Sequence, residues 1–169
     1  MRFDSDFAEF YSARFEMACR TAYALCGNWV EAEEIAQQGF VRLYARWPAV
    51  ARGHPDAYLR TVLTRLFLDS RRRGRGREKL VADCPEHAVP ADLAGVEEQG
   101  SLLAALQLLP PRQRATLVLR IVHDLSVEQV AEVLRCSTGT VKSQLSRGLQ
   151  ALREAYLAEQ PSRSVRDVG

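Results

Sequence analysis

Large apolar side chains in this chain recur at steps of three and four residues and nowhere alternate convincingly. Phe7, Phe10, Tyr11, Phe15, Ala18, Ala22 and Leu25 form one such series; Ala32, Ile35, Ala36, Phe40, Leu43 and Trp47 form a second. This spacing gathers apolar groups on one side of a 3.6-residue helix, whereas a half-buried strand needs period two. The chain is therefore expected to be all-α. Gly27-Asn28 breaks the first series and Pro48 ends the second. A third helix is expected from Pro55, at a first-turn position where a missing N–H costs nothing. It carries Tyr58, Leu59, Val62, Leu63, Leu66 and Phe67 and runs into Arg71, Arg72 and Arg73.

The second half repeats the logic in shorter pieces. Leu102, Leu103, Leu106 and Leu109 close one helix before Pro110-Pro111, and RQRATLVLRIV forms another. In DLSVEQVAEVL, Ser126 and Gln129 make a capping box, each side chain satisfying the other residue's backbone N–H. Val127, Val130, Ala131 and Leu134 supply that helix's buried side. Arg135-Cys136 is the turn, and Ser137 caps a last helix whose inner side is Val141, Leu145, Leu149, Leu152 and Tyr156. Helix, tight turn, helix at this length is a helix-turn-helix. Thr138, Gly139 and Thr140 keep the front of the last helix small, so its backbone can approach another molecule. Its unpaired N–H groups favour a phosphate there. Lys142, Ser143, Ser146 and Arg147 project opposite the leucines, with Gln144 at the margin, which is an inventory suited to base edges and phosphates in a major groove. A plain solvated surface helix fits the same segment, so the rest of the chain must decide.

Charge separates the two halves. The net charge is −2 over residues 1–50, +6 over 51–79, −5 over 80–111, +4 over 112–153 and −1 over the remainder, for +2 in all. Two basic blocks thus flank an acidic, proline-bearing stretch, VADCPEHAVPADLAGVEEQG, which reads as a linker between two polyanion-binding modules. The expected division is a helical domain over 1–79, a linker over 80–100, a second helical domain over 101–157 and a flexible tail over 158–169. No apolar run approaches the roughly 18 residues that span a bilayer. The opening MRFDSDFAEFY is acidic where a signal peptide is basic, so a cytoplasmic protein is expected. The four cysteines form no CxxC pair and read as reduced thiols. Cys84 and His87 have a ligand-like spacing, but no second pair completes a metal site; no cofactor and no catalytic group is expected.

Taken together, the two halves resemble the extracytoplasmic-function (ECF) group of bacterial sigma factors, in the sigma-70 family. The resemblance covers about residues 7 to 155. LPPRQRATLVLRIVHDLSVEQVAEVLRCSTGTVKSQLSRGLQALR, residues 109–153, is similar to the family's region 4. AEEIAQQGFVRLYARW, residues 32–47, is similar to region 2.2, and PDAYLRTVLTRLFLDSRRR, residues 55–73, to regions 2.3 and 2.4.

The resemblance implies a non-enzymatic subunit that docks on core RNA polymerase and directs it to promoter DNA. Glu34, Gln37, Gln38, Val41 and Arg42 would meet the clamp coiled coil of the largest subunit, and region 4 the flap. Gln38 stands where the family usually has Glu. Arg52, His54, Tyr58, Arg60 and Arg65 would hold the single strand of the downstream (−10) element; Arg65 stands where many relatives carry Asn. Arg71, Arg72, Arg73, Arg75 and Arg77 would meet phosphates. Trp47 and Tyr58 fit either a base-stacking platform or packing within their own domain. Ser137, Thr138, Thr140, Lys142, Ser143, Gln144, Ser146 and Arg147 would read the upstream (−35) element, with Arg112 and Arg114 on phosphates. Gln144 stands where Arg is common, and Arg135 where the turn often has Gly. An anti-sigma protein is a further partner of such factors. The rival readings are a stand-alone helix-turn-helix regulator and a metal or thiol enzyme using the cysteines.

Overall fold

The computed structural model describes residues 2–74 and 97–159, all of it helix and turn with no strand among the described residues. The chain divides into two compact units, Met1–Ala88 and Val89–Gly169.

The first unit packs α1 (Arg2–Cys26), α2 (Trp29–Ala45) and α4 (Pro55–Gly74) against one another, with the single-turn α3 (Trp47–Val50) between α2 and α4. Gly27 sits at φ 71, the left-handed conformation that glycine adopts without penalty. The next residue, Asn28, accepts the Glu31 N–H on its side chain at 3.0 Å and starts α2. Ala22, Leu25, Ala32, Ala36, Leu43, Leu63 and Phe67 form the core, all essentially out of water. Each large member contributes about 1.5–3 kcal/mol of burial. Gly39 was not expected in this core. A Cβ there would lie 2.7 Å from Leu63 Cδ2, so the missing side chain lets α2 and α4 approach closely.

Trp47 settles between its two readings. It is buried, its ring 5.3 Å from both Phe7 and Phe10, and so belongs to the core rather than to a base-stacking surface. The interval between the second apolar series and the helix expected from Pro55 therefore begins as a helical turn.

The second unit contains α5 (Glu97–Gln107), α6 (Pro111–Leu117), α7 (Val127–Leu134) and α8 (Thr138–Ala158). The first of these begins inside the stretch read as linker. Beyond Leu117 the chain continues as a π-helical stretch, Val118–Val122, and turns through Asp124 at φ 51. The capping box at Ser126 forms as expected, with bonds of 2.8 and 3.1 Å. Val133, rather than Val127, completes the buried side of α7.

The inner side of α8 differs in one position. Gly148 is buried where its Cβ would stand 3.3 Å from Leu117, and Leu149 is 45% exposed. Val141, Gly148 and Leu152 fall within about 40° on a helical wheel, while Leu149 falls about 80° from Val141. The expected stripe of leucines thus holds except at Leu149, which a glycine replaces.

Candidate nucleic-acid and protein interfaces

The helix-turn-helix forms around an uncommon turn. Arg135 lies at φ 53, ψ 50, a left-handed conformation that costs a non-glycine residue roughly 1–2 kcal/mol. The Cys136 N–H bonds to the Ala131 carbonyl at 3.1 Å, and the Arg112 guanidinium donates to the Leu134 carbonyl at 3.2 Å. These bonds occupy carbonyls that a helix end would otherwise leave open and so offset the strain.

Ser137 then caps α8, accepting the Thr140 N–H at 3.1 Å. Thr138, Gly139, Thr140, Lys142, Ser143, Ser146 and Arg147 are all exposed; Gly139, Ser143, Ser146 and Arg147 lie on the side away from Val141 and Gly148, with Thr140 and Lys142 at its edges. Neither Lys142 nor Arg147 has a partner among the described residues. The result is a small-fronted, cationic helix face with donors available. Gln144 is half-buried, nearer the inner margin than the other expected contacts.

Arg114 departs from expectation. It is 6% exposed, and its guanidinium donates to the carbonyls of Leu106, Gln107 and Leu109 at 3.0, 2.9 and 2.8 Å. A charge this deep persists because those dipoles replace water. It ties α6 to the end of α5 and is not available to a phosphate. Arg112, two residues earlier, stays exposed apart from its bond to the turn.

In the first unit the expected downstream-element residues divide by position on α4. Arg52 and His54 are exposed in the turn before it, and Arg72 and Arg73 at its far end, roughly 27 Å away at 1.5 Å per residue. Tyr58, Arg65 and Arg72, seven residues apart, share one helix face, with Tyr58 and Arg65 half-buried. Arg60 and Arg71 fall on the opposite, core-facing side. Arg60 has its Nε buried without a partner among the described residues. Arg71 is a staple: it pairs with Glu31 at 2.8 Å, donates to the Cys26 carbonyl at 3.3 Å and covers the Phe67 ring at 5.0 Å. It was expected at a phosphate and instead joins the ends of α1, α2 and α4. Among the described residues Arg72 pairs with Asp69, one turn back, and it remains largely in water. Arg75 and Arg77 lie outside the described residues, as do Cys84, His87 and most of the acidic stretch.

On α2, Glu34, Gln37, Gln38, Val41 and Arg42 are all exposed and line one open hollow. Val41 is 70% exposed. Burial pushes the thiols of Cys19 and Cys26 up to about 11, so both stay protonated near neutrality and are poor nucleophiles or ligands there. No helix among the described residues is long and apolar enough to cross a membrane.

Comparison with known proteins supplies a frame for these surfaces. Residues 10–77 match the family description "Sigma-70 region 2", and residues 99–152 match "Sigma-70, region 4". An RNA polymerase sigma-E factor of Streptomyces avermitilis is 33% identical over 88% of this chain and 84% of its own length. An ECF RNA polymerase sigma factor SigE of Mycolicibacterium smegmatis is 37% identical over 85% of this chain, which spans 58% of that relative. Among solved structures, the sigma factor RpoE of Bartonella quintana, in complex with the anti-sigma factor NepR, aligns over 92% of this chain and 99% of its own. Its TM-score is 0.70 at 24% identity, a likeness of fold.

Proposed function

The chain belongs to the ECF group of sigma-70 factors, and from that membership we propose a division of labour between its two units. The outer face of α8 reads the upstream promoter element as duplex DNA. The outer face of α4 and the turn before it hold the single strand of the downstream element, and the outer flank of α2 docks on the clamp coiled coil of core polymerase. The observation that carries the reading is the exposed, small-fronted and unpaired cationic face of α8, in one chain with an exposed, mixed-polarity flank on α2.

At the upstream element, the backbone at Thr138–Thr140 approaches a phosphate, while Lys142, Ser143, Ser146 and Arg147 reach base edges and the backbone. Arg112 serves a phosphate, and Arg114 serves the fold. At the downstream element, Tyr58, Arg65, Arg72 and Arg73 face outward along α4 and Arg52 and His54 flank its start. Holding a melted strand must offset lost stacking, and an aromatic platform contributes about 1–3 kcal/mol per base. The exposed pair Ile121 and Val122, left at the surface by the π-helical stretch, suits the flap contact. Each unit alone binds weakly; joined, the second contact becomes intramolecular at an effective concentration on the order of millimolar. No bond is made or broken by this chain, and its place of action is the cytoplasm, where polymerase works. An anti-sigma protein, of the kind bound to the Bartonella quintana factor, is its candidate regulator.

Reconstitution with core polymerase on a library of promoter fragments tests the proposal. Transcription that depends on this protein, with enriched fragments sharing two spaced boxes, is expected. Failure to associate with core enzyme at low salt would overturn it and favour a stand-alone helix-turn-helix regulator.

A further inference from the structure

The outward flank of α2 continues past the five residues considered above. Tyr44 lies two turns beyond Gln37 and one turn beyond Val41, so all three stand along one edge of the helix. The residue is 52% exposed. The side chain is nonetheless fixed at both ends. Its hydroxyl donates to the Asp4 carboxylate of α1 at 2.9 Å, and its ring stands edge-on to Phe7 at 4.9 Å. Phe7 is itself held edge-on by buried Trp47 at 5.3 Å. The bond to Asp4 retains the phenol proton and raises the Tyr44 pKa above the ordinary tyrosine value.

An exposed aromatic that has already lost its rotamer freedom loses little more on binding, and such residues carry a disproportionate share of interface energy. The run Glu34, Gln37, Val41 and Tyr44 extends about 15 Å along the helix, three turns of matching periodicity, which suits a second helix laid alongside. We infer that Tyr44, pre-set by Asp4 and Phe7, is the aromatic anchor at the end of the polymerase-docking stripe and inserts between side chains of the partner's coiled coil. This rests on the α2 reading above. It adds a specific residue to the contact and a function for the N-terminal turn of α1, which supports the anchor without touching the partner.

The test is the affinity of the full chain for the source bacterium's core RNA polymerase, with folding of each variant checked by thermal melting. Tyr44→Ala is expected to weaken binding roughly tenfold or more. Tyr44→Phe and Asp4→Ala, which keep the ring but release it, are each expected to weaken it about two- to fivefold. The double variant should be no worse than either single one, because both remove the same bond. Met17→Ala, an exposed apolar residue elsewhere on α1, should change nothing. Val41→Glu distinguishes the two levels of the argument. If it abolishes binding while Tyr44→Ala does not weaken it, the anchor is wrong and the docking flank stands. If Val41→Glu leaves affinity intact, the flank is wrong and the anchor falls with it. Additive losses from Tyr44→Phe and Asp4→Ala would overturn the claim that Asp4 acts through Tyr44.

Discussion

Arginine does two kinds of work in each of the two units, and the groups that divide them differ. On α8, Arg147 stands on the side away from the buried stripe and is exposed with no described partner, whereas Arg114 of the same unit lies buried among three carbonyls. On α4 the division falls inside one tribasic run: Arg71 is consumed by Glu31, Cys26 and Phe67, while Arg72 and Arg73 remain in water. The contrast teaches that a basic block measures potential, while the groups each guanidinium meets within its own unit decide which can leave the fold to meet DNA. In both units the arginine nearest the core holds helix ends together.

The largest effect is expected at Arg114. Arg114→Ala removes a charged donor from three carbonyls, of which Leu106 keeps the Leu109 N–H, and should cost the C-terminal unit about 3 kcal/mol, read by denaturant unfolding. A change below about 0.5 kcal/mol would mean that the clamp is unimportant. Arg71→Ala should cost about 1–2 kcal/mol, since its ion pair is neither fully buried nor at the surface. Glu31→Gln should be non-additive with it in a double-mutant cycle. Ser137→Ala removes the cap of α8 and should cost about 1 kcal/mol. Smallest in stability is Arg72→Ala, within about 0.5 kcal/mol, yet it should lower the salt dependence of promoter binding by about one phosphate contact. A stability loss matching that of Arg71→Ala would erase the distinction between the two neighbours.

Much of this architecture was legible in the residues. The apolar stripes placed the helices of both units, and Gly27-Asn28, Pro55, the Ser126–Gln129 box and Ser137 marked their ends, because caps and breakers act locally. The positions that escaped depend on contacts between helices. Gly39 and Gly148 carry no apolar signal, yet they occupy core positions because a close helix approach needs the space. Leu149 was expected inside for its hydrophobicity and lies outside for its phase. The burial of Arg114 could not be read from composition, since its partners are carbonyls that every residue has. The split of Arg60 and Arg71 from Tyr58, Arg65 and Arg72 was available from a wheel drawn on α4. Tyr44 was hidden differently: its bond to Asp4 joins residues 40 apart in sequence.

The separability of the two surfaces is measured most directly with Arg147→Ala in reconstituted transcription. Templates carrying an intact or a scrambled upstream element are compared, alongside affinity for core polymerase. A loss of about 5- to 150-fold on the intact template is expected, corresponding to about 1–3 kcal/mol for a base or phosphate contact. Little change should appear on the scrambled template, and core affinity should stay within about twofold of the parent. Equal loss on both templates, or loss of polymerase binding, would contradict the account.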